Sequence, residues 1–216
     1  MDWRGRFAFV RHDRASGEWC AVVDHFGTVP LFHTAKGEQL LVASHLKPLL
    51  RAPWVARRAD PAAVFHFLNF ACIPAPLTIV ADVQRLPPAS LLRWRAGQGR
   101  VERWWRPTYA EDLDGDAATL ADGLRERLVA AVQRCRPVSG ARWGTFLSGG
   151  TDSSSITTVL ARQVPGEAVH SFSIGFAEAG FDELEFARIA ASACGAQGHF
   201  GSIDEAETLA VLPHLP

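Results

Sequence analysis

The spacing of apolar residues changes near the middle of the chain, and that change excludes a fold built from one kind of layer. As far as Tyr109 the pattern is of strands: Phe7-Ala8-Phe9-Val10, a polar turn over 11–17, Trp19-Cys20-Ala21-Val22-Val23, and Gln39-Leu40-Leu41-Val42-Ala43 after the turn at Lys36-Gly37. Asp60-Pro61 starts a helix, because the Asp side chain accepts from exposed backbone amides and Pro fills a first position that needs no donor. Residues 110–123 are acidic and small, as in a surface linker leading into a helix. Beyond them Leu120, Leu124, Leu128 and Val132 recur at helical spacing, and Trp143-Gly144-Thr145-Phe146-Leu147 is a short strand that ends in glycines and serines. The order continues as helix (155–162), strand (169–174), helix (183–194, stopped by Gly195) and a third strand over 199–203. Strands that alternate with helices need right-handed crossovers and give a parallel sheet. The expected fold is therefore α/β with an α+β first part: residues 1–109, a linker over 110–119, and a parallel-sheet domain over 120–216.

Composition narrows the class. The 216 residues are 48% hydrophobic and 21% charged, which suits globular folding rather than disorder. With 22 Lys and Arg against 23 Asp and Glu, no global field draws the chain onto nucleic acid or an anionic membrane, so an anion site has to be local. Met1-Asp2-Trp3-Arg4 meets charge at once, unlike a secretory leader. Residues 62–81 lack charge but hold His66, Asn69, Pro74 and Pro76, and read as a short helix and a proline-rich turn rather than a membrane span. Cys20, Cys72, Cys135 and Cys194 form no C-x-x-C pair and no zinc-finger spacing, so reduced thiols in a cytoplasmic protein are expected.

In a parallel sheet the ligand site lies at the carboxyl ends of the strands. There the chain carries Leu147-Ser148-Gly149-Gly150-Thr151-Asp152-Ser153-Ser154-Ser155 between a strand and a helix. Adjacent glycines permit a tight turn with inward amides, hydroxyls add donors, and the helix presents unpaired N–H groups and the positive end of its dipole. A polyphosphate fits that chemistry. The string is no Walker loop, since no Lys follows the glycines, and no dinucleotide fingerprint, since the glycines are adjacent. Phe146 stands where a nucleophile elbow needs its first glycine.

The string resembles the SGGxDS pyrophosphate loop of the N-type ATP pyrophosphatases, and its neighbours are similar to one branch, the glutamine-hydrolysing asparagine synthetases. Phe172-Ser173-Ile174-Gly175-Phe176 looks like the second strand of that synthetase domain, and Phe181-Asp182-Glu183 with Ala187-Arg188 like its next helix. Gly5-Arg6-Phe7-Ala8-Phe9, Asp24-His25-Phe26-Gly27-Thr28-Val29-Pro30-Leu31-Phe32 and Ala43-Ser44-His45-Leu46-Lys47-Pro48-Leu49 resemble later strands of the family's glutaminase domain. Thr78-Ile79, Arg85-Leu86-Pro87-Pro88 and Trp104-Trp105 resemble the stretch between the two domains. The resemblance implies an incomplete Ntn-type glutaminase domain followed by an incomplete ATP-pyrophosphatase domain, a chain cut at both ends. The family's glutaminase begins with a processed N-terminal cysteine, whereas here Asp2 follows Met1, so no catalytic nucleophile is expected in this chain. Cys20, inside an apolar run, reads as a packed small hydrophobe rather than a substitute.

What the resemblance implies for the site is specific. Leu147 and Ile174 match positions that line the ATP pocket; Ser148, Gly149, Gly150, Asp152 and Ser153 match the loop that holds pyrophosphate, with Asp152 toward Mg2+. In the family a carboxylate attacks ATP to give an acyl-adenylate and pyrophosphate, and ammonia drawn from glutamine displaces AMP. The implied cofactors are ATP and Mg2+. The implied partners are a carboxylate substrate (aspartate in a true asparagine synthetase) and glutamine or ammonia, with neither nucleic acid nor membrane. A β-lactam-synthetase-like or lasso-peptide-cyclase-like relative, and a non-catalytic nucleotide-binding remnant, stay open. Asp182, Glu183 and Glu185 open a helix where carboxylates suit the dipole, and are read that way rather than as acid–base groups. His199 reads as structural, and the Arg- and Trp-rich stretch 93–106 as a strand pair around Gly97-Gln98-Gly99 rather than a stacking platform for nucleic acid.

Overall fold

The computed structural model describes residues 3–109, 115–136, 142–164, 168–176 and 183–214, which fall into two compact units, Met1–Ala110 and Glu111–Pro216.

The first unit holds strands Ala8–Asp13 (β1), Glu18–Val23 (β2), Phe32–Lys36 (β3), Gln39–Ala43 (β4), Gln84–Arg85 (β5), Ser90–Arg95 (β6) and Gln98–Arg103 (β7), with helices Leu46–Leu49 (α1) and Pro61–Phe70 (α2). They form two antiparallel sheets, ordered β1-β2-β6-β7 and β4-β3-β5. Side-chain alternation makes β4 a partition between two cores. Leu40 and Val42 pack with Ala21, Val23, Leu31, Leu86 and Leu92, while Leu41 and Ala43 pack with Leu49, Val55, Val80 and Val83.

Three expectations for this unit change in detail. β1 runs through Arg11 and Asp13, so the first turn is shorter than the polar composition implied. β3 was not expected, because Phe32-His33-Thr34-Ala35-Lys36 has only one large apolar residue and no clear period of two. Pairing on both edges and a Thr34 hydroxyl that donates to the Asp82 carbonyl at 2.6 Å hold it instead. The hairpin over 93–106 does form, but its turn is Ala96-Gly97; Gly99 lies within β7, where an added Cβ would come 2.8 Å from the Trp94 ring.

Asp60 caps α2 as expected, accepting from Ala62 N at 2.8 Å and Ala63 N at 3.3 Å. Asp24 carries more of the unit. Nearly inaccessible to solvent, its carboxylate accepts from the amides of Phe7, Phe26, Thr28 and Val29 at 3.0–3.3 Å and from the Thr28 hydroxyl at 2.6 Å. Burial alone would raise its pKa, but the Thr28 hydroxyl and the Thr28, Phe26 and Phe7 amides outweigh it and hold the group at about 2.

The second unit comprises Ala117–Arg134 (α3), Gly144–Phe146 (β8), Thr151–Gln163 (α4), His170–Phe176 (β9), Leu184–Cys194 (α5), Gln197–Ile203 (β10) and Glu205–Val211 (α6). The strands form a parallel sheet ordered β10-β9-β8. Asp116 caps α3 through Thr119 N at 2.8 Å, so the helix starts inside the stretch expected as linker. Only the far end of its leucine stripe is used: Leu128 and Val132 join Leu160, Val164 and Val169, while Leu124 stays 70% exposed. Gly195, at φ 68°, ends α5 as expected. A capping box, Asp204 with Glu207, opens α6, an element whose Asp-x-x-Glu signal was present in the sequence.

β9 alternates in an unusual sense. Ser171, Ser173 and Gly175 point into the buried side, whereas Phe172, Ile174 and Phe176 lie on the accessible side. Small residues there let α5 approach the strand closely, and the large ones form an apolar face together with Phe146, which is 86% exposed.

Candidate nucleotide site

The 148–153 loop leaves the carboxyl end of β8 and enters α4. Gly150 is the N-cap, in extended conformation and with no side chain capping the helix; Ser154 N makes the first helical bond, to Gly150 O at 3.1 Å. Among the described residues, the Thr151, Asp152 and Ser153 amides have no partner, as the first turn of a helix requires unless something caps it. Two hydroxyls set the loop's shape. Ser148 Oγ lies 3.1 Å from Ser153 Oγ and accepts from Gly150 N at 3.3 Å, while Ser153 Oγ accepts from Ser148 N at 3.3 Å.

The two glycines have different jobs. Gly149, at φ 86°, would place an added Cβ 2.5 Å from the Phe186 carbonyl carbon, so it is the contact with the backbone of α5 that forbids a side chain. At Gly150 an added Cβ would meet only Ser148 Oγ, at 3.4 Å, which leaves open space over the free amides. Gly149 thus packs against α5, and Gly150 keeps the approach to the amides open.

Beside the loop is a cleft of about 180 Å³ that brings together Leu147, Ser148 and Ile174 with Phe146, Phe172 and Glu183. Leu147 is buried, its amide donating to Phe172 O at 3.0 Å and its carbonyl accepting from Ser173 Oγ at 2.6 Å. Ile174 is 63% exposed and offers an apolar wall. Asp152 stands in the first turn of α4. Among the described residues no three His, Cys, Asp or Glu side chains gather to cage a metal, so a cation beside Asp152 would need further oxygens from a ligand. That donor set suits Mg2+, which keeps water and takes phosphate oxygens.

Other candidates separate from the loop. Glu183 precedes α5 and Glu185 lies in its first turn, but the Glu183 side chain does not cap the helix; its place in the cleft was not legible from dipole reasoning. Asp182 lies outside the described residues. His199 pairs with His170, ring nitrogens 2.8 Å apart, and stacks on Phe172, a structural role at the amino end of the strands. Burial pushes the Cys20 thiol pKa up, which suits a packed residue rather than a nucleophile. Arg93 pairs with Glu18 at 2.8 Å, spending that cation within the sheet. Among the described residues no helix is long and apolar enough to cross a membrane.

Comparison with known proteins follows the same division of the chain. Residues 1–105 match the model of the glutamine amidotransferase domain, and residues 123–216 that of asparagine synthase. Asparagine synthetase [glutamine-hydrolyzing] 1 of Bacillus subtilis is 28% identical over 212 residues, covering 98% of this chain and 33% of the relative. A putative asparagine synthetase [glutamine-hydrolyzing] of Mycobacterium tuberculosis H37Rv is 31% identical over 222 residues, with the same coverage. The amidase chyE of Penicillium rubens is 28% identical over 225 residues, covering 94% of this chain and 32% of its own length. The chain therefore spans about a third of the length of these curated relatives.

Proposed function

We infer the function from the family to which the chain belongs, the glutamine-hydrolysing asparagine synthetases: the second unit binds the pyrophosphate part of ATP, and the whole protein forms an amide by activating a carboxylate as an acyl-adenylate. The observation that carries this reading is the uncapped first turn of α4 behind Gly150, a set of free amides at the carboxyl end of a parallel strand. In this reading the Thr151, Asp152 and Ser153 amides and the Ser148 and Ser153 hydroxyls hold the phosphates, Asp152 holds Mg2+, and Leu147 and Ile174 give the base an apolar wall. Mg2+, when bound, neutralises phosphate charge. The loop positions the phosphates and stabilises the charge that passes to the leaving pyrophosphate. Glutamine or ammonia supplies the nitrogen in the whole protein.

The acceptor is aspartate if the chain acts as its synthetase relatives are named. A different carboxylate, as in β-lactam-synthetase-like or lasso-peptide-cyclase-like proteins, is the alternative.

Calorimetric titration of the chain tests the site. ATP with Mg2+ is expected to bind more tightly than AMP, which lacks the pyrophosphate. Gly150→Val, which fills the open space, is expected to lose that preference, and Asp152→Asn to lose its Mg2+-dependent part. Each charge-assisted contact removed is worth about 1.5–3 kcal/mol. A folded chain that binds ATP and AMP equally would make the loop a mere structural turn and the unit a remnant without nucleotide chemistry.

A further inference from the structure

We propose that Glu183 reads the sugar of the nucleotide, its carboxylate accepting hydrogen bonds from ribose hydroxyls in the cleft at the carboxyl ends of β8 and β9. This rests on the nucleotide reading of the 148–153 loop and goes beyond it to the specificity of the site.

The other polar side chains of the cleft are already engaged. Ser148, beside Ser153 Oγ and Gly150 N, belongs to the phosphate end in that reading, and Ser173 Oγ donates to the Leu147 carbonyl. Glu183 lines the same cleft, and no hydrogen bond from its side chain caps α5. An ionised carboxylate is an acceptor only, so its complement is a neutral group rich in donors. Beside a loop built for a polyanion it would repel phosphate. It is tolerable where the uncharged middle of a nucleotide lies, between phosphates at the helix N-terminus and a base on Leu147 and Ile174. A vicinal diol supplies two donors at that place. Glu183 follows β9, the second strand of this sheet in chain order.

The test titrates the parent chain and Glu183→Gln with ATP, 2′-deoxy-ATP, 3′-deoxy-ATP and inorganic pyrophosphate, all with Mg2+, and melts both proteins to compare their folding. The parent should prefer ATP over at least one deoxy analogue by about tenfold. Glu183→Gln should bring ATP and both analogues within about twofold and leave pyrophosphate binding as in the parent. Glu183→Ala should do the same, separating loss of the acceptor from a local effect of the amide. A parent that binds all three nucleotides equally overturns the sugar-reading role while leaving the loop standing. So does a Glu183 variant that weakens pyrophosphate as much as ATP. A parent that binds neither pyrophosphate nor ATP removes the loop reading, and this proposal with it.

Discussion

Two short loops, one in each unit, use side-chain oxygens to hold backbone amides, and they end in opposite states. Around Asp24 the oxygen belongs to a carboxylate, the residue is buried, and four amides and a hydroxyl converge on it. Its negative charge is satisfied by its own turn and the Phe7 amide, and nothing is left for a ligand. Around Ser148 the oxygens belong to hydroxyls, which shape the loop without bringing charge, and the first-turn amides of α4 remain open. A carboxylate in a turn consumes the donors that an anion would need, whereas a hydroxyl arranges them and leaves their field uncancelled.

The sharpest way to break this contrast is Asp24→Ala. Losing five bonds to a buried charge should cost about 4 kcal/mol, read by denaturant unfolding of the chain, and should leave nucleotide binding in the second unit intact if the units are independent. A cost under about 1 kcal/mol would mean that the turn stands without its anchor. Gly149→Ala comes next. The left-handed φ and the approach to Phe186 should destabilise the second unit by about 3 kcal/mol, while Gly150→Ala should be close to neutral in thermal unfolding. Equal effects at both positions would erase the division of labour between them.

Acid titration sharpens the Asp24 side. The folded pKa of about 2 lies below the ordinary carboxylate value of 3.8. The resulting stabilisation, about 2 kcal/mol, is therefore complete above pH 4 and is lost as pH falls toward 2. Asp24→Asn should remove that part of the acid dependence of stability. Ser173→Ala should cost about 1 kcal/mol by freeing the Leu147 carbonyl, a smaller effect because that bond is neutral. The smallest change is Phe146→Ser. This side chain is 86% exposed, so stability should move by less than about 0.5 kcal/mol, while light scattering should fall if the apolar face drives association.

Much of this was legible in the sequence, for reasons that differ by unit. In the second unit strand and helix periods alternate and a distinctive loop lies between β8 and α4, so three strands in parallel order and the helices between them follow from pattern, while the grouping of Leu147, Ser148 and Ile174 was implied by the family resemblance. Hidden were effects that depend on what lies across space. The packing of Gly149 against Phe186 and the place of Glu183 at the cleft are of this kind, and neither follows from spacing. In the first unit Asp24 sat in a recognised string but gave no sign of being buried, since a lone Asp before a turn is ordinarily exposed. β3 was invisible because backbone pairing on both edges, not side-chain pattern, makes it a strand.

The contact between Gly149 and Phe186 also sets a length. With no room for even a methyl group between them, the loop and the first turns of α5 cannot slide past each other without separating, so the amides behind Gly150 and the backbone at Glu183 are held at a constant gauge. A molecule that spans both must fit that gauge from its charged end to its hydroxyls. In the proposed nucleotide reading the site measures its occupant as a calliper does, and a ligand with one phosphate too few falls short of one jaw.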